Sequence, residues 1–160
     1  MSLQTSGTVQ VSVDRATAYQ FVANPAQLAL CVPGCRELRE LAPGRYSAEL
    51  ASKVAYITLK FRVICEIVRM EAPSAIDVKL VGDSIGLAGR VSATASIELT
   101  ETGAQCTEIR YLADVVLTGR LGGLGEPVFR SKSLELARQF AENLKAAIEG
   151  TPVAAGAASA

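Results

Sequence analysis

The chain has 160 residues, 49% apolar and 5% aromatic with no Trp, which suggests a single domain whose core is built mainly from Val, Leu, Ile and Ala. Sixteen basic residues cancel sixteen acidic ones, so no global field steers it to nucleic acid or to an anionic membrane. There is no His at all, which excludes Ser-His-Asp and Cys-His catalysis, a His general base and His-ligated zinc.

The N-terminal "MSLQTSGTVQ" lacks the basic-then-apolar pattern of a signal peptide. No stretch approaches the ~20 consecutive apolar residues that cross a bilayer. The expected location is the cytoplasm, where thiols stay reduced. Val9, Val11 and Val13 alternate and predict a strand ending at Asp14. Asp14 is placed to cap a helix over "RATAYQFVAN", with Ala18, Phe21 and Val22 on its apolar side. Asn24-Pro25 stops that helix, "AQLALCV" predicts a second short one, and Pro33-Gly34 ends it.

About six strands follow. "RELREL" runs to the turn signal Pro43-Gly44, and "RYSAELASK" places Tyr46, Ala48 and Leu50 on one face. The clearest period of two is in "AYITLKFRVICEIVRM": Leu59, Phe61, Val63 and Cys65 face one way, Lys60, Arg62 and Glu66 the other. The next three strands put Ile76, Val78 and Leu80, then Val91, Ala93, Ala95 and Ile97, then Thr107, Ile109, Tyr111 and Ala113 on the dry side. This pattern predicts an antiparallel meander with one wet and one dry face. After the glycine-rich "GRLGGLG", Pro127 opens a long helix to about Glu149 with Phe129, Leu136, Phe140, Leu144 and Ile148 on its buried stripe. A helix of ~25 residues is roughly 37 Å long and spans a whole sheet. The fold class expected is α+β of the helix-grip kind: a curved antiparallel sheet of about seven strands wrapped on a long C-terminal helix, with two short helices after the first strand. One domain over residues 1–150 and a flexible Ala/Gly tail over 151–160 complete the organisation.

Three motifs invite chemistry. Cys31 and Cys35 in "CVPGC" have a spacing compatible with half a zinc site, but Cys65 lies on the dry face and Cys106 on the wet one, so the four do not converge. A redox pair across the Val-Pro-Gly turn would have Arg36 nearby to favour a thiolate, without the thioredoxin spacing or a βαβ frame. "GRLGGLG" follows a strand and opens a helix as a phosphate loop does, yet lacks the Gly-Lys-Ser/Thr ending. It reads better as a lip, with Leu121 and Leu124 either reaching a membrane or partner or tucked under the helix. No catalytic residue, metal or cofactor is assigned.

The segments "FVANPAQLALCVPGCREL", "GRYSAEL", "LVGDSIGLAGRVSATASIEL", "TEIRYLADVVLTGRLGGLG" and "SLELARQFAENL" resemble the carbon monoxide dehydrogenase G-subunit family of the START-like (SRPBCC) superfamily, over about Gly7 to Ile148. "KVAYITLKF" departs from the family, whose members tend to carry Gly-Pro near Ala55-Tyr56. The resemblance implies a non-catalytic accessory protein of a carbon monoxide dehydrogenase-type molybdenum hydroxylase, with an apolar cavity for a lipid-like molecule such as an isoprenoid quinone. It implies cytoplasmic placement at the inner membrane face with transient membrane contact. A polyketide cyclase-like enzyme and a docking protein with a vestigial cavity are the alternatives.

The residues also speak for a cavity. Ala48, Gly89, Ala93, Ala95 and Ala113 occupy inward positions that a solid core fills with larger side chains, and an empty void costs about 24 cal/mol per Å3. Close approach of the helix through Ala137 and Ala141 is the competing explanation. The ligand-binding residues expected are Val32, Pro33, Leu121 and Leu124 at the mouth. Tyr46, Leu59, Phe61, Ala93, Ala95 and Tyr111 form the sheet wall, and Phe21 and Phe140 the helical wall. Inward polar groups are few (Tyr46, Ser52, Thr107, Tyr111 and Cys65), and no strand turns a charge inward, so an apolar ligand with one or two carbonyls fits best.

Overall fold

A computed structural model describes residues 1–54, 56–86 and 88–150. The strands are β1 (Ser2–Val11), β2 (Cys35–Ala42), β3 (Arg45–Val54), β4 (Ile57–Glu71), β5 (Ala75–Ile85), β6 (Gly89–Gly103) and β7 (Cys106–Gly119). The helices are α1 (Arg15–Val22), α2 (Pro25–Cys31) and α3 (Glu126–Ile148), with a 3-10 turn over Arg120–Leu124 leading into α3. All neighbouring strands are antiparallel in the order β1-β7-β6-β5-β4-β3-β2. The helix-grip arrangement is therefore observed: α3 runs beneath a seven-stranded sheet.

β1 and β2 stand at opposite edges of that sheet. The two short helices between them must carry the chain across one end of the concave face, and α1 touches β6 and β7 on its way while α2 reaches β2 and α3. Asp14 caps α1 as expected, accepting from the Thr17 backbone N–H at 3.1 Å. Asn24 caps α2 through Ala26 and Gln27, with Pro25 at its first position. The Pro33-Gly34 link then runs in beside β3, where Gly34 lies opposite Ala51 just ahead of the Cys35–Leu50 pair. Gly34 has φ +81° and any Cβ there would run into the Ala51 carbonyl, while its own carbonyl accepts from Ala51 at 3.0 Å.

β1 is longer at its start than alternation predicts. Ser2 to Gly7 pair with β7 in unbroken register, and Val13 falls outside the strand. "SLQTSGT" carries no apolar rhythm; it is a strand because β7 supplies its hydrogen bonds. Leu3, Thr5, Gly7, Val9 and Val11 point to the inner face, and the carbonyl of Val13 is taken by the Thr107 hydroxyl at 2.8 Å. The expected tail over 151–160 and Ala55 of the departing turn lie outside the described residues.

The outer face is wet and orderly. Directly opposed residues run Arg45–Glu66–Lys79 in one row and Glu49–Arg62–Asp83–Arg90 in another, so charges of opposite sign alternate across strands.

Candidate functional site

The inner face carries two buried clusters rather than one. The first joins Val9, Val11, Ile97, Leu99 and Ile109 of the sheet to α1, Cys31 and the C-terminal half of α3 through Leu144 and Ile148. The second joins Val54, Leu59 and Leu117 to Leu121 and Phe129 at the start of α3. Between them lie Leu50, Cys65, Leu80, Ala93, Ala95 and Ala113, all on the inward phase of their strands and all only partly buried. A packed interior would bury them completely.

The course of α3 explains why they are not. Its backbone comes closest to β1, its C-terminal half packs through Leu144 and Ile148 on the first cluster, and Phe129 at its start packs on the second. It spans the concavity as a bar across a cup. Two contacts hold it at the β1 side. The Tyr111 hydroxyl donates to the Ala137 carbonyl at 3.1 Å, and the Tyr111 ring meets Phe140 edge-on with centroids 5.5 Å apart. Gly7 makes room for this, since a Cβ there would collide with that hydroxyl. Near the C-terminus of α3, Lys145 donates to the Gln10 carbonyl at 2.8 Å and Glu149 accepts from the Ser12 N–H at 2.8 Å.

The polarity of the inner face differs from the sequence expectation. Tyr111 and Thr107 have their hydroxyls committed to Ala137 and Val13, and Tyr46 points its hydroxyl toward Glu40 at 3.5 Å. Among the described residues, the buried hydroxyls without a hydrogen-bond partner are those of Thr5, Ser52 and Ser84 on the inner face and of Tyr19 in α1. A buried hydroxyl without a partner costs about 1–3 kcal/mol, so such groups are normally satisfied by water or a guest. Sequence reasoning found only Ser52. Thr5 lies in the strand start that has no apolar rhythm, and Ser84 lies beyond Asp83, where the alternation of "SAIDVKLVGD" stops but pairing with Phe61 continues.

The structure distributes the other expected residues unevenly. Ala93 and Ala95 lie in the space between the clusters, with Tyr46 toward its open edge. Leu59 and Phe61 belong to the second cluster, Phe21, Tyr111 and Phe140 to the rim of the first. Val32 and Pro33 are half-buried in the link between α2 and β2. Leu121 is fully buried and Leu124 packs on the same cluster, so both leucines tuck under α3 and form no projecting lip. The reason is geometric: the 3-10 turn coils the glycine-rich segment back under the first turn of α3.

Nor does "CVPGC" form a reaction centre. All four cysteines are free. Cys31 is fully buried and bonds back to the Gln27 carbonyl, and burial pushes its thiol up to about 11. Burial also raises Cys35 and Cys65, which leaves little thiolate for redox chemistry. Cys106 contacts Gln10 on the outer face. No group of three or more His, Cys, Asp or Glu side chains comes together among the described residues.

A long helix gripped by a seven-stranded antiparallel sheet with space beneath it defines a START-like helix-grip domain, and solved structures bear this out. A conserved protein from Geobacillus kaustophilus superposes with a TM-score of 0.82 at 21% identity, covering 92% of this chain and 96% of that one. A START superfamily protein from Mycobacterium smegmatis gives 0.71 at 16% identity, covering 92% and 97%. An aromatase/cyclase from Streptomyces sp. R1128 gives 0.60 at 14% identity, covering 98% and 100%. Within that class the model of the CoxG family, the G subunit of carbon monoxide dehydrogenase, matches residues 7–149, and the chain belongs to this family. No curated protein matches the sequence.

Proposed function

We propose that this domain is a non-catalytic carrier or receptor for an uncharged, largely apolar small molecule held between α3 and the centre of the sheet. The observation that carries it is the set of small, half-buried side chains around Ala93, Ala95 and Ala113, left uncovered between two packed clusters. Along that stretch no described strand residue turns a charge inward, so the sheet itself offers a carboxylated or phosphorylated guest no partner. The unpaired hydroxyls of Thr5, Ser52 and Ser84 offer a guest one or two hydrogen bonds. An isoprenoid quinone, with an apolar tail and two carbonyls, has this chemistry.

Family and fold both imply a ligand-binding domain. The family name supports an accessory role beside a carbon monoxide dehydrogenase-type hydroxylase, whose electrons a quinone would accept. No helix among the described residues is long and apolar enough to cross a membrane, so any membrane contact by these helices is made at their surface. The likeness to an aromatase/cyclase keeps a cyclase-like activity as the second reading. It would need an acid or base in the central space, where the described strands supply only Cys and hydroxyls.

Native mass spectrometry and solvent extraction of the purified protein test the proposal. An uncharged apolar molecule at one per chain is expected, with saturable uptake of added ubiquinone or menaquinone by the stripped protein. A protein that emerges empty and takes up neither quinone is not a binding module of this kind.

A further inference from the structure

At one edge of the concave face lies a pocket that the sequence does not mark. A pocket of about 370 Å3 lies between Ala23 at the end of α1 and the strip formed by Gly44, Tyr46 and Ile67 to Met70. Tyr46 and Ile67 are inner-face residues, opposite Cys65 and Val78 in the register. Ile67 also packs on the larger core cluster. The pocket is open to solvent and borders the inner face through these two residues.

Its outer rim is apolar where solvent would favour polar residues. A bulge between Ile67 and Arg69 takes Val68 out of the ladder, and Val68 is 55% exposed. Met70 pairs with Ile76, which is buried at 3% exposure on the inner face, yet Met70 itself is 51% exposed. The same side of the sheet is thus covered at β5 and open at β4. Leu41, on the hairpin that carries Gly44, is 52% exposed. The one charge among the described lining residues, Arg69, is held by Asp77 and Glu71, each at 2.6 Å, so this lining presents no free cation to an anionic group.

We infer that this opening is the portal of the central cavity and a subsite for a flexible hydrocarbon chain, which threads between α1 and β4 with its far end over Met70 and Val68. The inference rests on the proposal that the cavity takes an uncharged apolar molecule. It adds where a molecule longer than the cavity leaves it, and it moves the mouth away from Val32, Pro33 and the Leu121–Leu124 turn. A chain is the fitting occupant because the pocket borders the inner face at Tyr46 and Ile67, lacks free charge among its described lining and ends on a flexible Met.

The test uses the full chain, Nile red as an uncharged reporter, and straight-chain 1-alkanols of increasing length as competitors. Affinity of the unaltered protein is expected to rise with chain length through the longest soluble alkanol. Ala23→Phe narrows the passage, and Met70→Asp places a charge at its end without disturbing a buried side chain. Each is expected to weaken the longest alkanol by about tenfold or more, roughly what burying two methylenes is worth, and to leave the shortest unchanged. If both variants follow the unaltered protein at every length, or lose all lengths equally, the portal lies elsewhere. If the unaltered protein binds neither Nile red nor any alkanol, the binding proposal itself fails and this inference with it.

Discussion

Glu149 shows how one side chain ties the gripping helix to the sheet. Its carboxylate accepts from the Ser12 N–H and from Lys145, whose ammonium also reaches the Gln10 carbonyl. These bonds, the Ser12 one foremost, hold the carboxyl below the usual glutamate range. A carboxyl depressed in the folded state contributes stability that is present above its unfolded value and lost as pH falls through the folded one. Glu149→Gln is therefore expected to lower the melting temperature at neutral pH, to converge on the parent at acid pH, and so to flatten the acid limb of melting temperature against pH. Calorimetry across the acid range checks it. Cys31 is the contrasting case, with a buried thiol raised by burial and no task in the site. Replacing Cys31 and Cys35 together by Ser is expected to leave ligand affinity within about twofold, measured by Nile red titration; a loss beyond about tenfold would give the motif a role in binding.

Among the elements, α3 and β7 set how closely the helix approaches the sheet. The Tyr111–Ala137 hydrogen bond and the Tyr111–Phe140 contact fix how close the helix comes at one side. Tyr111→Phe keeps the ring and removes the bond, leaving the Ala137 carbonyl without that donor. About 1 kcal/mol of stability should go, read as a shift of the urea midpoint at constant slope. Gly7→Ala is expected to cost more, about 1–3 kcal/mol, because the added methyl meets the Tyr111 hydroxyl and the packing beneath α3 must move. Should Gly7→Ala prove as stable as the parent, α3 is not held in this way. The insertion of α1 and α2 acts at the same scale. It closes one end of the concavity because it must connect opposite edges of the sheet, and the gap it leaves beside β4 is the portal inferred above.

For the molecule as a whole, the proposed function depends on space. Ala95→Trp places a large ring in the central space, and is expected to abolish ligand uptake while leaving far-ultraviolet circular dichroism and the cooperativity of unfolding as they were. If uptake survives, the ligand lies elsewhere. Ser52→Ala separates guest from scaffold. With an empty cavity, losing an unpaired buried hydroxyl is neutral or stabilising; with a carbonyl ligand bound, it weakens affinity by about fivefold to tenfold. A stability gain without any change in affinity would show that Ser52 does not contact the guest.

The architecture was legible because it is written in local periods. Val63 and Cys65 against Arg62 and Glu66 fix which side of β4 is dry, and the stripe from Phe129 to Ile148 marks a helix long enough to cover the sheet. The Pro33-Gly34 signal has its reason in a close backbone approach to Ala51 of β3 that admits no Cβ at Gly34. What no local pattern contains is how far α3 stands from the sheet, which hydroxyls keep a partner, and where the cover ends. Tyr111 and Thr107 read as ligand contacts until the Ala137 and Val13 carbonyls, remote in sequence, take their bonds. Leu121 read equally well as a lip or an anchor until the 3-10 turn placed it in the core. Sequence by itself determined the elements, their faces and the family, because each depends on neighbours a few residues apart. Tertiary structure alone decided how α3 lies against the sheet and which described hydroxyls keep a partner, because these depend on contacts between elements from opposite ends of the chain.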